Sequence, residues 1–416
     1  LSTIEIIPII PFEDGVAEGR QLGRAQLLRR TAELLEDKYL KPTLGEMSRA
    51  EVAQYVMSRL EAPPDYGAYP ELEDIYPERL DFLRGLAQGA ECTLKEAAVY
   101  HYAAYRQYIE AFWWSLQAQP EPGHCSGVMF DGPDGVIGGQ SAESGPPPKP
   151  EDYRFRPPRP YAGLKQLKTK FPKLTLRKPR TGYIESWGVG NEKGVAQFCG
   201  VSASVLMDEH IEDTWPVNDV PLLRFAGTVR EFATLYQRYS LHNWTRSNQI
   251  WADVSGDAVA VEKCFRRIGL RFIGDDRTLW VTEGHYDTPE MFAYMRAKRL
   301  EFLEKAGRHL GAGDMQYATD CHVRFTRLAE LCHEPWDRGY EHIRRVLTDH
   351  APFPRAVCRH GGPDTAPYDE SVTMGSGFSD LTHNRSFSRG WIPWKKFPCQ
   401  VAEKVTQYPE RPGIRD

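Results

Sequence analysis

Nowhere in these 416 residues does an apolar stretch approach the ~20 residues that a helix needs to cross a bilayer, and no membrane partner is expected. Glycine-rich phosphate loops and dinucleotide fingerprints are missing, which removes the simplest routes to a nucleotide-dependent enzyme. No segment repeats, which argues against solenoids and propellers. Eight cysteines are spread along the chain with no CxxC pair and no dense framework, so free thiols in a reducing, cytoplasmic setting are expected. Cys321-His322 and Cys332-His333 match no standard zinc spacing, and no metal is expected. The formal net charge is only −5, so neither nucleic acid nor an acidic surface is an expected partner.

What remains is the composition of a soluble globular protein, 41% hydrophobic and 26% charged, with enough chain for one large domain or two ordinary ones. Residues 1–10, LSTIEIIPII, lack a basic leader and a small-residue cleavage site, and read as a first strand. Residues 11–60 carry apolar positions at helical spacing, and a second helical stretch runs from Glu71 to Gly89. Thr93 and Glu96 have the spacing of a capping box, which opens a third helix through HYAAYRQYIEAFWW. QAQPEPG, residues 117–123, stops it.

At Cys125 the period changes towards two. CSGVMF and GVIGGQ flank DGPDG, a hairpin signal. A cysteine where helical sequence gives way to a hairpin is placed like a nucleophile, working either as an internal thiol or as a new chain terminus whose amine serves as base. If the chain stays intact, His124 or another histidine must take the thiol proton. Residues 145–182 read as a proline-rich, basic insertion. Eleven Lys and Arg between Lys149 and Arg180 face only Glu151 and Asp152, which makes the segment a solvated excursion or a dock for a phosphate-bearing partner such as coenzyme A or an acyl carrier protein. Strand-like pieces resume at GYIESWGVG, GVAQFCGVSASVL, DAVAVEKCF, LRFI and TLWVTEGHY. Helices follow at TPEMFAYMRAKRLEFLEKAGRHL and GYEHIRRVLTDHA, and residues 371–399 return to strand and turn. Helices, strands, helices, strands in that order predict layered α+β packing.

Within this frame Glu143 is a candidate for orienting an amine or for acid–base work. Glu283 and His285, two apart in a strand-like run, are expected to share a face and handle protons. Arg296 and Arg299 on a helix are candidates for a fork that holds a substrate carboxylate, against the plainer reading of a solvated face. Ser141 is placed with the substrate-binding residues. Oxyanion donors are expected from backbone N–H groups near Gly138 and Gly200.

Several segments, in one order along the chain, resemble the acyl-coenzyme A:isopenicillin N acyltransferase family. They are IPFEDGVAEGRQLG (10–23), LRGLAQGAECTLKEAAVYH (83–101), GHCSGVMFDGPDGVIGGQSAES (123–144), GNEKGVAQ, MRAKRLEFL and PRAVCRH. The resemblance implies an N-terminal nucleophile hydrolase: a four-layer αββα sandwich over 125–416, preceded by a helical region over 1–124. In that family the precursor cuts itself before a cysteine, which then forms an acyl-enzyme and passes the acyl group to water or an amine. This sequence departs from the pattern where His124 replaces a glycine, where Ser141 and Glu143 stand for an Asn-x-Asp, and where Thr282-Glu283-Gly284-His285 lacks the family's oxyanion asparagine. Three functions are expected to compete. The first is a cysteine-nucleophile acyltransferase or amidohydrolase of specialised metabolism, with a small-molecule substrate and no resident cofactor; coenzyme A or a carrier-bound donor would be the substrate. The second is an unprocessed relative recruited for cyclisation or rearrangement, and the third is a non-catalytic scaffold.

Overall fold

The computed structural model describes residues 2–3, 6–8, 11–38, 40–45, 47–61, 75–104, 125–144, 164–167, 174–176, 189–190, 193–202, 226–239, 247–264, 267–305, 312–351, 356–359, 372–390 and 398–407. Two compact units divide the chain: Ile9–Gln119, and Leu1–Pro8 with Pro120–Asp416.

The smaller unit is helical. It contains α1 (Pro11–Leu35), α2 (Lys41–Leu44), α3 (Arg49–Glu61), α4 (Ile75–Gly89) and α5 (94–104). Helices α1 and α4 pack backbone to backbone. A Cβ on Gly15 would lie 2.1 Å from the Phe82 carbonyl, and one on Gly85 would lie 2.0 Å from the Phe12 carbonyl. Gly19 and Gly89 repeat the arrangement one turn on, so the glycines permit an approach closer than any side chain allows. Gly23, at φ 66, breaks α1 near its middle. The capping box before α5 is formed: the Thr93 N–H donates to Glu96 Oε2 at 2.7 Å, and the Glu96 N–H donates to Thr93 Oγ1 at 3.2 Å. The rest of the aromatic run beyond residue 104 lies outside the described residues.

The larger unit mixes helices with mainly antiparallel sheets. Its elements are β1 (Ser2–Thr3), β2 (Ile6–Pro8), β3 (Ser126–Gly132), β4 (Gly135–Ser144), β5 (Leu164–Leu167), β6 (Leu174–Leu176), β7 (Val189–Gly190) and β8 (Ala196–Ser202), then α6 (Val229–Tyr239), β9 (Ser247–Ala252), β10 (Ala258–Cys264), β11 (Arg267–Phe272) and β12 (Thr278–Thr282). They continue through α7 (Pro289–Lys305), α8 (Ala312–His333), α9 (Tyr340–Leu347), β13 (Val372–Asp380), β14 (Arg385–Gly390) and β15 (Lys404–Gln407). One sheet runs β1-β15-β14-β13-β4-β3-β12, and a second runs β11-β10-β9-β8-β7. In the first sheet only the β1–β15 pairing is parallel.

Strand alternation sorts the side chains. Met129, Val136, Leu279 and Val281 of the first sheet meet Phe198, Cys199, Ile250 and Ala260 of the second in one buried cluster. On the opposite face of the first sheet, Val128, Phe130, Ile137 and Phe378 pack on Leu328 and Leu331 of α8 and on Ile343 and Val346 of α9. Helices α6 and α7 pack on β10 and β11 respectively, and the ring of Phe232 on α6 lies tilted against Trp251 of β9, centroids 4.0 Å apart.

The expected hairpin after Cys125 is present, pairing β3 with β4 and closing through Pro133 and Asp134, with Gly135 at φ 91. The helical sequence expected over 11–60 is helical, divided into three helices. The single strand expected over 1–10 is two short strands in different sheets. Most of the 145–182 insertion lies outside the described residues; within it, β5 and β6 form a small sheet with β2. Among the described residues no helix is long and apolar enough to cross a membrane.

Candidate active site

Cys125 stands one residue before β3, half-buried against the cluster between the two sheets. Its position follows from the β3–β12 register. Thr282 lies opposite Ser126, so the next residue out, Glu283, falls beside Cys125. The Glu283 N–H donates to the Cys125 carbonyl at 3.0 Å, and the Cys125 N–H donates to Glu283 Oε2 at 3.4 Å. The strand does not continue through His285. Gly284 turns at φ 72, and Asn248 Nδ2 clamps the turn by donating to the carbonyls of Thr282 at 2.8 Å and His285 at 2.6 Å.

Arg324 of α8 completes this corner. It is fully buried, and its Nη1 donates to the Cys125 carbonyl at 3.3 Å and to Ser126 Oγ at 3.2 Å. Glu143, near the end of β4, supplies a second buried carboxylate. Its main-chain oxygen is 4.0 Å from Cys125 Sγ, and its Oε1 accepts from Thr373 Oγ1 at 3.1 Å. Ser141, two residues earlier on the same face, donates to the Val357 carbonyl at 2.8 Å.

Two buried acids, with Arg324 beside both and Arg359 beside Glu143, set the electrostatics. Burial pushes Glu143 up to about 7, although Arg324, Ser141, Arg359 and Thr373 pull it down. Burial also raises Glu283 well above the usual carboxylate range, with Arg324 opposing. One oxygen of each acid, Glu143 Oε2 and Glu283 Oε1, is buried with no hydrogen-bond partner among the described residues, a state that a neutral acid tolerates and a carboxylate does not. The Cys125 thiol is raised first by burial and then by the two acids. Such a thiol is a poor nucleophile until a base takes its proton.

A donor for developing negative charge sits nearby in register. Gln140 lies opposite Gly127, two residues from Cys125 on the face between the sheets. Its Oε1 accepts from the Gly200 N–H at 2.9 Å, which fixes the amide and leaves Nε2 buried with no partner among the described residues. The expected Gly200 donor is therefore corrected: its N–H is spent on Gln140.

The remaining candidates disperse. His124 lies outside the described residues. His285 does not share a strand face with Glu283, because the turn at Gly284 sends its ring against Phe325, 4.1 Å away, and His322, 5.6 Å away. Burial there pulls its pKa down to about 4. Arg296 is exposed on α7, and the side chain of Arg299 is outside the described residues. Cys332 and His333 do not converge: Cys332 is in the core, while His333 reaches Asp276.

Arg324, Asn248 and Gln140 escaped the sequence reading. For Arg324 a signal was present. It falls on the stripe of Cys321, Phe325, Leu328 and Leu331, and a cation within an apolar helical face is a buried cation.

Comparison with protein-family models finds none that matches this chain, and comparison with curated proteins finds none either. Among solved structures, two variants of conjugated bile acid hydrolase from Clostridium perfringens are each 13% identical, with TM-scores of 0.36. Each match covers 69% of this chain, and 97% and 98% of theirs. Penicillin V acylase from Agrobacterium tumefaciens is 14% identical, covering 68% of this chain and 90% of its own, with a TM-score of 0.34. Likeness of this degree carries no argument for fold or activity, and the functional reading rests on the geometry around Cys125.

Proposed function

We propose that this chain is a cysteine-nucleophile enzyme of acyl transfer, an amidohydrolase or acyltransferase that works through an acyl-enzyme on Cys125. The observation that carries the reading is the pairing of the Cys125 main-chain nitrogen with the buried Glu283 carboxyl at 3.4 Å. A peptide nitrogen gains little from an acid there, whereas a chain-terminal amine would be held by it. Two packed sheets with helices on their outer faces support reading the larger unit as a four-layer αββα sandwich of the N-terminal nucleophile kind.

In this reading the chain first cuts itself. Sγ adds to the His124 carbonyl carbon, the C–N bond breaks, and the thiol proton passes through Glu283 to the departing nitrogen. Water then releases the thioester. In turnover the freed amine takes the thiol proton, which the raised thiol needs, and Sγ attacks a substrate amide or thioester. The oxyanion is met by Gln140 Nε2, a neutral donor already oriented by Gly200. The leaving group departs with the proton from the ammonium, and water or an acceptor amine enters by the reverse sequence. The cationic segment from Lys149 to Arg180 supports, by charge, a coenzyme A or carrier-bound donor.

A second reading draws on the same acids: an intact chain in which Glu143 and Glu283, both raised by burial, move protons in a cyclisation or rearrangement. Intact mass under denaturing conditions separates the two. Two fragments divided before Cys125 support the processed enzyme, and one full-length mass supports the intact one. Full activity in Cys125→Ala on an amide and thioester panel overturns both the nucleophile and the acyl-enzyme.

A further inference from the structure

A second group of reactive side chains lies in the larger unit outside the Cys125 corner. His350 follows α9, Cys358 sits in the bend before β13, and Cys399 lies in the 3₁₀ turn Pro398–Gln400. One ligand atom from each falls within 4.8 Å of the others. Cys358 is buried, and its side chain is hydrogen-bonded to that of Cys399; Cys399 is half-buried and His350 is exposed.

The scaffold under the three residues is built independently of any ion. The Cys358 N–H donates to the Asp349 carbonyl at 2.9 Å, joining the first two segments. The Asp349 carboxylate is held by Arg327 through two bonds of 2.9 and 3.0 Å, and it also accepts from the Ala351 N–H at 3.2 Å. His350 therefore stands in a loop braced on both sides, and Asp349 is committed elsewhere.

We propose that His350, Cys358 and Cys399 form a binding site for one zinc ion or a comparable soft divalent cation, with the fourth position on the solvent side. Two sulfurs and one imidazole are the donor set that zinc favours. Tetrahedral zinc, with Zn–S bonds of about 2.3 Å, holds two sulfurs about 3.8 Å apart, a separation that falls within the 4.8 Å spread of the cluster. Any adjustment on binding falls most easily on the exposed His350. Binding forms two Zn–S bonds and one Zn–N bond, and it releases the two thiol protons to solvent. The ion would tie the chain after α9 to the chain before β15. It would also stiffen the bend at Arg359, whose N–H donates to Thr373 Oγ1 at 2.7 Å, and Thr373 in turn donates to Glu143.

Cobalt(II) added to the reduced full-length protein tests the site by absorbance. The expected result is one equivalent bound, with a thiolate-to-cobalt charge-transfer band and the d–d bands of a tetrahedral ion, both displaced by zinc. Cys399→Ser should abolish the charge-transfer band or reduce it to that of a single thiolate. His350→Ala should weaken binding by about tenfold or more. Cys125→Ala should bind cobalt like the parent. Circular dichroism checks that each variant is folded, and the exposed His350 carries the test if a cysteine variant is not. Zinc should also raise the melting temperature of the parent and not that of Cys399→Ser. Absence of the charge-transfer band in the reduced parent overturns the site. So does a band that survives in Cys399→Ser unchanged, or a Cys358–Cys399 disulfide whose reduced form takes up no metal.

Discussion

Cys125 and Glu283 exchange two hydrogen bonds. The Glu283 N–H donates to the Cys125 carbonyl at 3.0 Å, and the Cys125 N–H donates to the Glu283 carboxyl at 3.4 Å. The first bond is ordinary ladder pairing at the end of β3 and β12. The second brings an acid to the atom that would become a free amine on cleavage before Cys125.

Replacing Glu283 with Gln keeps an acceptor facing that nitrogen and removes the titrating group. Amide or thioester turnover should fall by about 10²- to 10⁴-fold, the range for a lost acid–base group, with little change in melting temperature. If processing depends on the same proton, the variant should run as a single chain on denaturing gels. Unchanged turnover over the whole pH range would count against Glu283 in this role.

Arg324→Met removes the one described cation whose charge opposes both buried acids. It also strips the Cys125 carbonyl and Ser126 of a donor. Breaking a buried charge group of this kind typically costs about 3–5 kcal/mol, so thermal or urea unfolding should show a clear loss of stability. Arg324→Lys should recover part of it. A neutral outcome for Met would mean that Arg324 is solvated.

Glu143 links stability to pH. Its folded value is about 7 against 4.5 unfolded, so its contribution is fully present below about pH 4.5 and is lost as pH rises through about 7. A shift of that size is worth on the order of 3 kcal/mol. Glu143→Gln should flatten the decline in urea stability between pH 4.5 and pH 7. A parent and variant with parallel curves across that window would contradict the raised value.

His285 acts in the opposite direction. Its value is about 4 in the folded chain against 6.5 unfolded, so its contribution is present above about pH 6.5 and is lost as pH falls through about 4. His285→Phe preserves stacking on Phe325 and should be less acid-sensitive over that range, as read from melting temperatures at successive pH values.

In the helical unit, Gly85→Ala places a methyl about where the Phe12 carbonyl already is. Overpacking at a backbone contact should cost about 1–3 kcal/mol or more. A Gly23→Ala change tests the strained φ of 66 instead, with nothing in the way of the added methyl. Equal melting temperatures for the parent and Gly85→Ala would mean that α1 and α4 are farther apart than described.

What the sequence disclosed followed local physics. The hairpin after Cys125 was legible because β3 and β4 alternate around a turn rich in Gly and Asp. The capping box was legible because Thr93 and Glu96 are three residues apart. Strand β9 was hidden, since Ser247, Asn248 and Gln249 are buried polar residues on a strand covered on both faces, and no period of two marks it. The end of β12 was misjudged because one glycine at positive φ outweighs a run that otherwise reads as strand. Arg324, Gln140 and the group of His350, Cys358 and Cys399 depend on tertiary pairing between distant segments, which no local spacing records.

The central claim is that Cys125 carries the acyl group, and mass spectrometry of acid-quenched protein tests it most directly. The purified chain is mixed with an activated thioester, quenched, weighed intact and mapped by peptides. The account predicts a single acyl adduct on Cys125, absent from Cys125→Ala, with the acylated peptide beginning at Cys125 itself. Adducts confined to other cysteines, with Cys125 left unmodified, would contradict it.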